Sequence, residues 1–150
     1  MFRGINAVNL DAKGRLAVPA RYRLSLESTA HGHLVVTIDT EDPCLLMYPL
    51  PVWEEIERRV QALPALNAAA RRVQRLLIGH ATEVEIDGNG RILLPSLLRE
   101  YAQIDKKVML IGLANKFELW SESVWQESRD RWLATKDEGA LPPELMSIIL

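Results

Sequence analysis

Two arginines in this chain occupy the same place in the same short pattern. Asn9-Leu10-Asp11-Ala12-Lys13-Gly14-Arg15-Leu16-Ala17-Val18-Pro19 is matched 76 residues later by Glu85-Ile86-Asp87-Gly88-Asn89-Gly90-Arg91-Ile92-Leu93-Leu94-Pro95, and a further arginine follows each, Arg23 and Arg99. Asp-x-x-Gly suits a tight turn, because the carboxylate accepts bonds from the turn's amides and glycine takes the positive φ that other residues resist. The next residue then stands beside the tip, where a guanidinium can lie flat against phosphate or read guanine through two parallel bonds. The alternative is that Asp11 and Arg15 only pair across the hairpin end, a surface contact worth about 0–1 kcal/mol. The residues alone leave both readings open.

Other chemistry is poorly served. His31-Gly32-His33 lacks the carboxylate or thiolate pair a metal would need and reads as an exposed loop. His80, after Gly79, suits a helix C-terminus, where a cation favours the dipole. Cys44 reads as a small buried hydrophobe, with no His-Asp arrangement to make it a nucleophile. Asp87-Gly88-Asn89-Gly90 opens like a calcium loop but lacks the later ligands and the terminal Glu. Neither copy carries the lysine and hydroxyl that follow the glycines of a phosphate loop. We therefore expect no enzyme, metal, cofactor or small-molecule substrate.

Charge points toward a polyanion once its distribution is read. The 150 residues carry 18 basic and 20 acidic groups, a net charge of −2. Residues 1–25 hold Arg3, Lys13, Arg15, Arg21 and Arg23 against Asp11 alone, which is +4, so the remainder carries −6. The second copy is electrically neutral over residues 84–107, with Asn89 where the first has Lys13 and Leu97 where it has Arg21. The first copy is thus expected to dominate binding to a polyanion. Hydrophobic residues at 48% and charged residues at 25% exclude wholesale disorder. A single cysteine permits no intramolecular disulfide and fits a reducing compartment. With no signal-like N-terminus and no long apolar stretch, a cytoplasmic protein without a membrane partner is expected.

The elements that must position these residues are also duplicated. Val8 and Leu10, then Leu16 and Val18, alternate with polar neighbours, predicting two short strands around each turn. Pro19 and Pro95 fit the first position of short helices over 20–26 and 96–102. Apolar runs at 34–38 and 108–111 and strands ending at Tyr48 and Trp120 follow, each leading into an amphipathic helix that begins near Val52 or Val124. Downstream the offset falls to 72, so the first copy carries about four extra residues, placed in the loop Asp39–Pro43. The division expected is a first repeat over 5–52, a helical linker over 53–80 with a second helix from Ala65 to about Ile78, a second repeat over 81–124, and a C-terminal helix and tail over 125–150. Arg71, Arg72 and Arg75 either extend a DNA surface or pair with Glu54, Glu55 and Glu57, and pairing is favoured. Trp53, Trp120, Trp125 and Trp132 read as packing anchors. Residues 137–143 read as a loop, and 146–150 are apolar enough to dock on a neighbour.

Leu-Asp-x-x-Gly-Arg-x-x-x-Pro, present twice around a helical linker, resembles the SpoVT–AbrB superfamily of DNA-binding proteins. Met1-Phe2-Arg3-Gly4, the stretch Arg71 to His80, and Asn115-Lys116-Phe117-Glu118-Leu119-Trp120 extend the likeness over nearly the whole chain, toward its tandem-repeat regulators. The resemblance implies an α+β fold: two tandem swapped-hairpin β-α-β units forming one small pseudo-dimeric barrel with flanking helices. It implies a sequence-specific, nucleoid-associated transcriptional regulator that binds repeated promoter elements of the division and cell-wall gene cluster as a homo-oligomeric ring. Its DNA-contact positions map onto Arg15 and Arg91. The basic patch adds Arg3, Lys13 and Arg21 as DNA-binding candidates, and Asp11, Gly14, Asp87 and Gly90 form the turns. A subunit neutralising about three phosphates would show a salt slope near −2.7, which is shallow, so several subunits on successive repeats are expected to act together. A ring-forming scaffold for a protein partner is the competing reading.

Overall fold

Each copy runs strand, turn, strand, helix, strand, strand, helix. The computed structural model describes residues 1–135 and 142–148. The first copy supplies β1 (Phe2–Asn9), β2 (Arg15–Ala17), α1 (Ala20–Ala30), β3 (His33–Ile38), β4 (Leu45–Pro49) and α2 (Leu50–Gln61). A connecting helix α3 (Ala68–Val73) continues into a π-helical turn, Gln74–Ile78. The second copy supplies β5 (Thr82–Glu85), β6 (Arg91–Leu93), α4 (Ser96–Tyr101), β7 (Lys107–Ala114), β8 (Lys116–Ser121) and α5 (Glu122–Ala134). A short 3-10 turn spans Pro143–Ser147.

The strands pair across the copies. A six-stranded antiparallel sheet has the order β1-β7-β8-β4-β3-β5, and β2 pairs with β6 in a separate two-stranded ribbon. β1 of the first copy lies along β7 of the second from Phe2↔Ala114 to Asn9↔Lys107, while β5 of the second lies along β3 of the first from His33↔Glu85 to Val36↔Thr82. The sheet's central strands are buried on both faces, and their alternation separates a main core on one face from two smaller clusters on the other. Leu34, Val36, Leu45, Met47, Val108, Leu110, Phe117 and Leu119 face the main core, which the ribbon's Leu16 and Ile92 and the helices' Tyr22, Leu26 and Leu98 complete. Val35, Leu46 and Tyr48 face α2 and its Trp53 instead, and Ile111 and Trp120 face α5. The result is α+β, with ribbon, α1 and α4 on one side of the sheet and α2 and α5 on the other.

Several local expectations change. Pro19 and Pro95 are N-cap residues, at φ −53°, ψ 139° and φ −59°, ψ 142°, not the first helical residues. Proline's fixed φ suits either place, and the extended ψ lets each chain turn out of the ribbon before its helix starts. α1 extends to Ala30 and ends in a left-handed cap: His31 (φ 53°) and Gly32 (φ 76°) return their amides to Glu27 and Leu26. Gly32 is therefore buried and His33 half-buried at the start of β3, so His31–His33 is a helix stop and not an exposed loop. The linker helix begins at Ala68, because Asn67 caps it by accepting the Ala70 amide at 3.0 Å. Six residues, 39–44, join β3 to β4 where Asn115 alone joins β7 to β8, which locates the longer loop of the first copy. Arg71 donates to the Ala65 carbonyl at 3.0 Å, and Glu55 is held by Arg58 and Arg59 of its own helix. No ion pair among the described residues joins Arg71, Arg72 or Arg75 to α2: Glu55 pairs with Arg58 and Arg59 at i,i+3 and i,i+4 spacing, and Glu57 accepts from Trp53 Nε1 at 3.0 Å. Most of the predicted loop at 137–143 and the end of the apolar tail lie outside the described residues.

Candidate nucleic-acid interface

Both Asp-x-x-Gly turns form, and they form alike. In the first, Asp11 Oδ1 accepts the Lys13 and Arg15 amides, each at 2.9 Å. In the second, Asp87 Oδ1 accepts the Asn89 and Arg91 amides at 2.8 and 2.9 Å. Gly14 and Gly90 close the turns at φ 87° and 75°, a region that costs other residues about 1–2 kcal/mol. Each turn is then tied to the other copy: Val18 donates its amide to the Gly90 carbonyl at 2.9 Å, and Leu94 to that of Gly14 at 2.8 Å.

The ribbon decides where the arginines point. Leu16 faces Ile92 at its centre, both turned into the core, so their neighbours Arg15, Ala17, Arg91 and Leu93 all project outward. Arg15 lies opposite Leu93, which places Arg91 on its diagonal, a Cα separation of about 7–8 Å. One outward patch therefore carries the motif arginine of both copies. The pair expected as an alternative also exists: Arg15 Nε donates to Asp11 Oδ2 at 2.9 Å. It engages one nitrogen of the guanidinium, whose side chain stays about one third exposed at 32%. Arg91 lies 3.7 Å from Asp87 Oδ2 and 3.8 Å from Asp11 Oδ2, so it is drawn between the acids of both copies.

The same bonds set the charge of the acids. Amide bonding from Arg15, with the Arg15 side chain and the Lys13 amide, lowers the Asp11 pKa from 3.8 to about 2. Asp87 is lowered as well, first by the Arg91 amide, then by the Asn89 amide and the charges of Arg91 and Arg15. Both acids are ionised at neutral pH, and their fixed charge orients guanidinium groups whose side chains stay about one third exposed, although Arg91 Nε itself is buried.

Other cations divide into two sets. Lys13 is exposed on the first turn beside Arg15. Arg23 packs against Gly90 and Arg99 against Gly14, so the distal arginine of each copy crosses to the other's turn. The recurrence of those arginines at the repeat offset was the available signal for this placement. Their reach across copies follows from strand exchange, which linear spacing does not encode. Arg21 instead faces β1: it donates to Asn6 Oδ1, lies 4.7 Å over the Tyr22 ring, and packs on Gly4. Arg3 sits at the far end of β1, about 23 Å of strand from Leu10. The structure thus gathers Lys13, Arg15 and Arg91, with Arg23 and Arg99, and leaves Arg3 and Arg21 apart.

A family model described as "MraZ protein, putative antitoxin-like" matches the chain twice, over residues 1–76 and 77–138. The chain belongs to the MraZ family. Proteins named Transcriptional regulator MraZ from Coxiella burnetii and Halorhodospira halophila are each 57% identical to it over 152 residues, covering the whole of both chains. One of that name from Pseudomonas aeruginosa is 56% identical over 151 residues, again end to end. This MraZ-family chain carries one close group of potential metal ligands among its described residues, Asp39, Cys44 and Glu118. Cys44 is wholly buried and donates weakly to Asp39 at 3.8 Å, while Glu118 accepts from Trp120 Nε1 at 2.9 Å. Burial and the surrounding acids push the thiol's pKa upward, the opposite of what a reactive or ligating cysteine needs. No described helix is long and apolar enough to cross a membrane.

Proposed function

We propose that the protein is a DNA-binding transcriptional regulator that presents the outward face of the β2–β6 ribbon to duplex DNA. The observation that carries this reading is the diagonal placement of Arg15 and Arg91 on one exposed face, each oriented by an aspartate-and-glycine turn. Guanidinium forks carried on Cα positions about 7–8 Å apart can take phosphates or guanine edges without first paying to order the loops that carry them. The relatives' printed name supports the regulatory role. The exchange of β1 and β5 between copies supports a swapped-hairpin, pseudo-dimeric barrel in which both turns reach the same side.

The finer reading is a cytoplasmic, nucleoid-associated ring whose subunits occupy successive promoter repeats of the division and cell-wall gene cluster. Lys13, Arg15 and Arg91 form the contact. The first copy contributes more, because Lys13 accompanies Arg15 whereas Asn89 accompanies Arg91. Fluorescence anisotropy with a duplex carrying those repeats, and with a scrambled duplex, tests it across a salt series. Arg15→Ala and Arg91→Ala should each weaken binding, and each lost phosphate contact lowers the salt slope by about 1. Arg15→Ala should be the more severe. Unchanged affinity in both variants would remove the ribbon from the interface, and a larger loss from Arg91→Ala would reverse the ranking.

A further inference from the structure

The outward face of the β2–β6 ribbon holds four side chains, and only two of them are charged. Arg15 stands opposite Leu93, and Ala17 opposite Arg91. Leu93 therefore has one arginine across the ribbon, at a Cα separation of about 4.5–5.5 Å. It has the other two residues back on its own strand, about 7 Å away. Its side chain is 54% exposed, while Ile92 and Leu94 on either side of it are buried in the core. Ala17 holds the matching place in the first copy and is exposed as well. The ribbon is thus two-fold in its arginines and one-sided in its apolar surface.

We propose that Leu93 is a specificity-determining residue that packs on the 5-methyl group of a thymine in the major groove. The inference deepens the DNA-binding reading of the ribbon given above and rests on it. A two-stranded ribbon fits the major groove, whose base edges carry hydrogen-bond donors and acceptors and one large apolar group, the thymine methyl. With Arg15 and Arg91 seated on phosphates or guanines, Leu93 beside them leaves water too. Against a carbonyl, a ring nitrogen or an amino group it would strip a polar atom of water and return no bond. Against the methyl group both partners gain. Ala17 reaches less far than Leu93, so the near-symmetric ribbon acquires a preferred orientation on a duplex that is not palindromic. Lys13 against Asn89 breaks the symmetry a second time.

Deoxyuridine tests the contact, since it removes the methyl group and keeps the base pair. Fluorescence anisotropy compares a duplex carrying a single promoter repeat with a set in which each thymine in turn is deoxyuridine. The full chain is measured unaltered and as Leu93→Ala, with Arg15→Ala and Arg91→Ala as references. In the unaltered chain one replacement should weaken binding about fourfold, the value of one methyl group withdrawn from water. Leu93→Ala should weaken binding to the thymine duplex by at least as much, and should no longer distinguish thymine from deoxyuridine at that position. Circular dichroism melting checks that the variant stays folded, and the deoxyuridine series on the unaltered chain stands without it. Unchanged affinity in both arginine variants defeats the ribbon reading and this inference together. If the arginines matter but no deoxyuridine weakens binding, the inference alone fails. It also fails if the deoxyuridine penalty persists in Leu93→Ala, the result expected when another side chain meets the methyl group. A change in assembled mass on size exclusion of Leu93→Ala would assign the leucine to a contact between copies and overturn the inference as well.

Discussion

The two turns share a backbone and differ in how firmly each holds its arginine. Asp11 bonds Arg15 Nε at 2.9 Å, whereas the equivalent Asp87–Arg91 distance is 3.7 Å, and Arg91 Nε has no hydrogen-bond partner among the described residues. Asp11 thus serves the arginines of both copies, and Asp87 mainly shapes its own turn. Duplication has preserved the frame while the side-chain contacts drifted apart. The comparison teaches that recurrence of a motif predicts its turn more securely than its ion pair, because amide bonding is local and the pair depends on what the other copy places alongside.

The largest expected effect probes the frame that the copies share. Leu16 and Ile92 face each other at the ribbon's centre with exposures of 0% and 1%. Leu16→Ala and Ile92→Ala should each cost about 2–5 kcal/mol in urea unfolding, by similar amounts. A difference above about 2 kcal/mol would show that one copy carries most of the ribbon's stability. Glycine substitutions come next. Gly14→Ala and Gly90→Ala each force a side chain into positive φ, at about 1–2 kcal/mol. A Cβ at Gly90 would also fall 2.1 Å from Arg23 Nη1 and 2.8 Å from its Cδ, so Arg23 must leave the turn. At Gly14 the nearest atom is Arg99 Cζ at 3.0 Å, and Arg99 stays anchored through Nε to the Leu94 carbonyl at 3.1 Å. A double-mutant cycle should find stronger coupling for Gly90 with Arg23 than for Gly14 with Arg99; equal coupling would mean that the copies respond alike.

What could be read from the residues follows the same division between local and cross-copy structure. Asp11, Gly14, Asp87 and Gly90 announced their turns because each turn is closed by bonds within five residues. The strand runs at Leu34–Ile38 and Val108–Ile111 were visible because central strands are apolar on both faces. The diagonal of Arg15 and Arg91 was not visible, since it depends on pairing two three-residue strands separated by about half of the chain. Arg21 illustrates the converse. Its charge suggested a ligand, yet Asn6 and the Tyr22 ring sit within reach once α1 packs on β1. Asn67 before three alanines is a local capping signal for the later helix start, but nothing local hinted that the helix's last turn widens, with the Leu77 carbonyl bonded by buried Thr37 at 2.7 Å.

The smallest effect isolates the carboxylates. Asp11 has a native pKa of about 2 against 3.8 in a free chain, so its ionised form favours the folded state. That contribution is complete above about pH 4 and is lost as pH falls from about 4 to about 2, because the unfolded chain then takes up the proton first. Asp87 is depressed by the same kind of bonding and acts with the same sign. Removing the charge should therefore flatten the acid limb of stability. Melting temperatures between pH 2 and 5 should flatten more for Asp11→Asn than for Asp87→Asn, because Asp11 also bonds Arg15 Nε directly and has Arg91 nearby. Equal flattening would mean that amide bonding alone sets both acids and that the tighter Asp11–Arg15 pair adds nothing in solution. Greater flattening from Asp87→Asn would invert the comparison and make the second turn the firmer of the two.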